Sequence, residues 1–195
     1  MPLLWFRLVV PLIGLAPLFW IGWLYQQDEL GIFPEETLLH ITGHSGLMLL
    51  LLTISWGMLR RFTGWVGFIA TRRQLGLWAF WWLLAHASIW AGWDQGWNFD
   101  WIWREMSELL HLQLGLTALL VLLLLAATSP TRIRLAMPGL IWHSLHRLVY
   151  VATALGVWHL WIITRLDYRL VMAYALLLAS LLLLRLIFLK PPTPS

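Results

Sequence analysis

The chain has 195 residues, 61% of them hydrophobic and 11% charged, with a formal charge of +4 and a mean hydropathy of +0.76. That composition excludes an ordinary soluble domain and points to a polytopic membrane protein whose main partner is the lipid bilayer. There is no cysteine, which excludes disulfides, zinc–thiolate sites, iron–sulfur clusters and thiol catalysis, so any metal or redox chemistry rests on histidine or a bound cofactor. The arginines lie where they set membrane topology, and no nucleic-acid module is present.

A window of about 19 residues predicts six membrane-spanning helices, at 4–24, 40–59, 75–93, 109–128, 144–163 and 170–188, each long enough to cross ~30 Å of hydrocarbon. The first contains Pro11 and Pro17 and has no small-residue cleavage motif before Gln26, so it reads as a retained helix, not a signal peptide. The second opens on His40 and His44 and ends at Arg60 and Arg61. Arg72 and Arg73 precede the third, which carries His86 deep in its apolar run. His111 stands at the start of the fourth, and the fifth carries His146 near one end and His159 near the other. The sixth leads into the tail at 191–195. The expected fold is an all-α, six-helix bundle forming one domain over 1–190.

With the N-terminus in the cytoplasm, the inner stretches hold Arg7, Arg60, Arg61, Arg72, Arg73, Arg132, Arg134, Arg147, Arg185 and Lys190, ten of the thirteen Lys and Arg residues. The outer stretches hold Arg104, Arg165 and Arg169 together with all nine carboxylates. The positive-inside rule therefore places both termini in the cytoplasm. The acids give the outer face a negative rim, either a docking surface for a basic partner or plain solvated loops. Many of the sixteen tryptophans fall near the expected membrane edges, where an amphipathic indole is favoured.

An imidazole in hydrocarbon is costly unless paired, which makes intramembrane histidines functional candidates. The third and fifth spans run in the same direction, and at ~1.5 Å per residue His86 and His159 stand within about one helical turn of the same depth. Two helices can thus present imidazoles at one level, which suits a metal held from two sides, as haem iron is in a helix bundle. The competing reading is that each imidazole only hydrogen-bonds a neighbouring carbonyl or hydroxyl. His146 is ~20 Å along the helix from His159 and cannot share its metal; it serves a second haem near the inner face or sits at the interface. A shared face for the two would need a bend, with Gly156 as the candidate. His143 reads as a headgroup-level residue, and His40, His44 and His111 as interfacial residues or the lining of a quinone pocket.

The stretches TRRQLGLWAFWWLLAH at 71–86, HITG at 40–43 and LHRLVYVATALGVWHLW at 145–161 resemble the MsrQ (YedZ) family, the haem-binding membrane subunits of periplasmic methionine-sulfoxide reductase systems, within the ferric-reductase-like transmembrane superfamily. The resemblance covers essentially the whole chain and implies a single ferric-reductase-like transmembrane domain. It marks His86, His146 and His159 as the functional histidines, with His86 and His159 as the pair for an outer haem b. Two-haem relatives carry a second histidine about fourteen residues before the outer ligand on the third helix; here that position is Arg72, followed by Arg73. Arginine is permanently protonated and a poor iron ligand, so one haem is implied and a second would need another partner for His146. Arg72 and Arg73 are then expected to bind a haem propionate, a lipid phosphate or a flavin phosphate, or to anchor the helix.

The resemblance further implies an electron-transfer subunit, not the catalytic one, in the bacterial inner membrane. It would pass electrons from membrane quinol or a flavin reductase, with FMN as a family cofactor, to a periplasmic molybdopterin oxidoreductase. The chain ends five residues after Lys190, so electrons are expected from a separate donor, not from an attached nicotinamide and flavin domain. Two alternatives stand beside this: a cytochrome b subunit of another respiratory or photosynthetic assembly, and a haem-free structural or transport subunit.

Overall fold

The computed structural model describes residues 2–188, and all of their regular structure is helical. In order these are α1 (Pro2–Gln26), α2 (Pro34–Thr63), α3 (Gly67–Ile89) continuing into a π-helical turn (Trp90–Asp94), α4 (Phe99–Glu108), α5 (Leu110–Ala127), α6 (Thr131–Ala136), α7 (Gly139–His146), α8 (Leu148–Ile163) and α9 (Arg169–Phe188). Four of them, α1 from Trp5 onward, α2, α5 and α9, are long and apolar enough to cross a membrane. Of the two other expected spans, α8 has 16 residues and α3 carries Arg72 and Arg73 within it. The tail expected at 191–195, with Lys190, lies outside the described residues.

Each long helix has one apolar face turned inward and another turned outward. On α9, Val171, Tyr174, Leu178 and Leu181 are buried while Leu170, Leu176, Leu177 and Leu183 are exposed. On α1, Trp5, Leu8, Leu12, Phe19 and Trp23 are exposed, at helical spacing. A chain that leaves so many large apolar side chains uncovered is solvated by lipid, not water. Proline inside α1 is tolerated for the same reason, since membrane helices re-satisfy the freed backbone groups locally.

The core is organised around α2. One face of α2 contributes Leu49 and Leu50 to a cluster with Val10, Leu75, Ala79, Phe80, Leu122 and Ala152. Another contributes Leu47, Leu51, Ile54 and Met58 to a cluster with Val157, Val171, Tyr174 and Leu178. α3 packs on α1, α2 and α5, and α8 packs on α2, α5 and α9. The pairs α2–α3 and α5–α8 are thus the two halves of the bundle.

Small residues set how closely the helices approach, as expected where lipid removes the hydrophobic drive between helices. A Cβ at Gly46 would run into Leu83, and one at Gly14 would overlap the indole of Trp78. The Gly14 carbonyl also accepts the Trp82 indole N–H at 2.8 Å. The buried hydroxyls of Thr42, Thr53, Thr71 and Thr153 each donate to the carbonyl four residues earlier, so none is left unpaired in the apolar interior.

Several boundaries differ from expectation, among them that of α2, which runs Pro34–Thr63 where 40–59 is expected. α3 begins eight residues before the expected 75, which carries Arg72 and Arg73 into the helix. The fifth span is interrupted at Arg147, where the Tyr150 amide donates three residues back to the Arg147 carbonyl; the break falls there and not at Gly156. The short helices α4 and α6 lie between the expected spans. α4 is amphipathic and is capped by the Asn98 side chain, which accepts from the amides of Asp100 and Trp101.

Replacing Gly14 with Ala forces the Trp78 indole off α1. It should destabilise the protein by about 1–3 kcal/mol, read as a lower thermal midpoint in detergent, while Gly22→Ala, which meets nothing within 4 Å, leaves the midpoint unchanged.

Candidate functional site

His86 on α3 and His159 on α8 face each other with ring centroids 6.2 Å apart and planes at 89°. Depth matching between the third and fifth spans is therefore realised as direct juxtaposition. The Nδ1 of His86 lies 3.0 Å from the Leu39 carbonyl on α2, and the Nδ1 of His159 lies 2.6 Å from the His111 carbonyl on α5. A carbonyl oxygen only accepts, so in both rings Nδ1 carries the hydrogen and Nε2 keeps its lone pair. The hydrogen bond that a purely structural histidine would make is present twice, yet it uses the nitrogen that leaves the other free for a ligand.

The same local device makes both contacts. In an α-helix the side chain at i+4 leans back over the carbonyl of residue i. Four residues after Leu39 comes Gly43, and four after His111 comes Gly115. A Cβ at Gly43 would sit 3.1 Å from the His86 ring, and one at Gly115 would sit 3.2 Å from the His159 ring. Glycine at these two positions uncovers the carbonyls and lets an imidazole lie against the helix. Neither glycine nor the His111 backbone was singled out from the sequence; the available signal was a glycine one turn from the level of an intramembrane histidine.

A metal shared by two imidazoles, at about 2.0–2.1 Å per bond, holds ring centres roughly 6 Å apart, which the observed 6.2 Å matches. Among the described residues no three His, Asp or Glu side chains converge on one metal position. The donor set thus fits a metal whose remaining ligands belong to a prosthetic group, with the imidazoles on its two open sides.

The other expected site residues stand elsewhere. His146, at the end of α7, stacks on Trp142 at 4.0 Å, and its Nε2 lies 3.2 Å from the Thr128 hydroxyl. That hydroxyl already donates to the Leu124 carbonyl at 2.8 Å, so His146 donates through Nε2, the opposite tautomer to the pair. Arg72 and Arg73 diverge: Arg72 is half-buried beside α2 near Gly57, whereas Arg73 is exposed and donates to the Thr131 hydroxyl at 3.4 Å. His40 and His44 stack at 6.1 Å on α2, with the Tyr174 hydroxyl 3.5 Å from His44 Nδ1. His111 brings its ring to 5.8 Å from that of His159.

Charge separates along the bundle. α2 alone carries Glu35 and Glu36 in its first turn and Arg60 and Arg61 in its last. At the acidic pole, partial burial together with Glu35, Glu105 and Glu36 raises the pKa of Asp94 above the ordinary aspartate value.

Fold and site together describe an all-helical membrane protein that brings two imidazoles face to face between its helix pairs. Residues 41–157 match the family model described as ferric reductase like transmembrane component, and the chain belongs to that family. It is 34% identical over 183 residues to the protein-methionine-sulfoxide reductase heme-binding subunit MsrQ of Rhodospirillum rubrum, an alignment covering 93% of this chain and 87% of that protein.

Two outcomes check this geometry. Nitrogen-15 NMR of histidine-labelled protein without bound metal should show Nδ1–H tautomers at His86 and His159 and Nε2–H at His146; Nε2–H at either member of the pair contradicts the assignment. Because the folded state raises the Asp94 pKa, its ionisation opposes folding at neutral pH and that cost vanishes once both states are protonated. Asp94→Asn should therefore raise the thermal midpoint at pH 7, and the gain should disappear below the ordinary aspartate pKa of about 3.9.

Proposed function

We propose that this chain is the haem-binding membrane subunit of a methionine-sulfoxide reductase system, a b-type cytochrome that carries electrons across the bacterial inner membrane. The observation that carries the reading is the pair of imidazoles with free Nε2 atoms at metal-sharing separation, joined to the 34% identity with a heme-binding subunit. His86 and His159 would hold one haem b; when bound, it supplies a one-electron centre inside the low-dielectric layer that a bare charge cannot cross. Six helices, α1, α2, α3, α5, α8 and α9, then span the membrane, with both termini on the cytoplasmic side in accord with the positive-inside rule.

The chain's own groups tune and shield the site. The Leu39 and His111 carbonyls hold each ring in one tautomer and orientation and raise its basicity as a ligand, which favours the oxidised metal and so lowers the potential. The Leu, Ala and Phe core around α3 excludes water. Electrons enter from the basic pole, from membrane quinol or from a flavin reductase with FMN, and leave at the acidic pole. There Glu35, Glu36, Asp94 and Glu105 form a negative rim for a periplasmic molybdopterin oxidoreductase. With His146 paired to Thr128 and Arg72 standing fourteen residues before His86 on α3, where arginine is a poor iron ligand, the reading is one haem per chain.

The test is the dithionite-reduced absorbance spectrum of the purified protein. Wild type should show b-type Soret and alpha bands, His86→Ala and His159→Ala should each lose them, and His146→Ala should keep them. Gly115→Ala, which crowds the His159 ring, should weaken haem retention by roughly 10–100-fold, the usual cost of an outer-shell change. A wild-type spectrum in either histidine variant of the pair sinks the assignment.

A further inference from the structure

The acidic end of α2 carries a second histidine pair, separate from His86 and His159. His40 and His44 stand four residues apart, one turn along the same face of the helix. Their rings lie 6.1 Å apart with planes 15° from parallel. His40 is exposed and His44 half-buried, so the pair is open to the surface. Among the described residues His40 makes no hydrogen bond or ion pair. The side-chain contact of His44 is to the Tyr174 hydroxyl of α9, 3.5 Å from its Nδ1.

The residues just before each of these two have a different task, since the Leu39 carbonyl and Gly43 seat the His86 ring. Positions 40 and 44 lie about 100° further round the helix. Carboxylates gather at this end: Glu35 and Glu36 open α2, and Glu36 stands one turn before His40. Two imidazoles with uncommitted ring nitrogens beside a negative rim favour a cation. Imidazole selects late transition metals, where carboxylates alone would favour Mg2+ or Ca2+. Histidines at this spacing on one helix hold Zn2+ from one side in zinc-binding helices. At 2.0–2.1 Å per bond and a tetrahedral angle the ring centres stand roughly 5 Å apart, closer than the 6.1 Å here by an amount that rotation about the broad imidazole χ2 torsion supplies.

We propose that His40 and His44 bind one divalent ion of the Zn2+ class through their Nε2 atoms, with water completing its coordination. With an ion on Nε2, His44 keeps its hydrogen on Nδ1 and donates it to the Tyr174 oxygen. The phenol then orients this ring as the Leu39 carbonyl orients His86. Tyr174 is itself buried and packed in one cluster with Leu47, Leu51 and Val171, so the support is rigid. Structural zinc takes four protein ligands; two imidazoles at an exposed position make an exchangeable site instead. This site goes beyond the electron-transfer reading and does not depend on it.

The experiment titrates Zn2+ into the full-length protein in maltoside micelles, freed of any polyhistidine tag, and follows binding by isothermal titration calorimetry. Wild type should bind one ion saturably, and excess Mg2+, which prefers oxygen ligands, should not displace it. His40→Ala and His44→Ala should each weaken binding by about a hundredfold or more, since loss of a supporting group alone costs ~10–100-fold. Tyr174→Phe removes only such a support and should weaken it roughly tenfold. His143→Ala, at the other pole, should match wild type. No saturable binding, displacement by Mg2+, an affinity that His40→Ala leaves unchanged, or an equal loss in His143→Ala overturns the site. If His44→Ala elutes as aggregate, His40→Ala, at an exposed position, decides by the same criteria. The haem bands, read on the same samples, report the His86 and His159 pair separately.

Discussion

Two hydrogen bonds from imidazole Nδ1 to a helix carbonyl hold this structure's chemistry in place. An unpaired imidazole in an apolar bundle has no fixed orientation and exacts a desolvation cost. The Leu39 and His111 carbonyls remove that cost and define which nitrogen is free. Both carbonyls are already bonded within their own helices, so each accepts a second hydrogen through its remaining lone pair. Access to that lone pair depends on the absence of a side chain one turn later, which is why glycine stands at 43 and at 115.

The rest of the bundle positions these two contacts. α3 and α8 are held through α2 and α5 rather than chiefly by packing on each other, leaving the imidazoles to meet across the space between two helix pairs. The separation is set by small residues: Gly46 draws α3 onto α2 and Gly14 draws α1 onto α3. The arrangement repeats in each half, with a histidine on one helix, and a carbonyl and a glycine on its partner. A ring bonded through Nδ1 is packed and still keeps the Nε2 lone pair, so packing does not exclude ligation at either histidine.

Much of this was legible in the sequence, for identifiable reasons. Runs of Leu, Ala and Trp at membrane length announce helices whatever their packing, and all six expected segments contain one. His86 and His159 were legible as a pair because depth along a helix follows from residue count alone. The charge asymmetry was legible because it is compositional. Gly43 and Gly115 were not, since their role exists only between helices, and which helix faces which is not a local property. The divergence of Arg72 and Arg73, adjacent in sequence and turned about 100° apart on α3, needed the position of α2. α4 and α6 escaped because ten and six residues fall below any membrane window. The break at Arg147 carries neither glycine nor proline to announce it.

One haem held by His86 and His159, as proposed, would leave its signature on the iron itself. Two nitrogen ligands on opposite sides leave no open position and force the ferric ion to low spin, whereas a single axial histidine leaves it high-spin. The electron paramagnetic resonance spectrum of the purified ferric protein, integrated against polypeptide, measures both ligation and number. A wholly low-spin signal equal to one haem per chain is expected. A high-spin signal, or a low-spin signal equal to two haems, would contradict it.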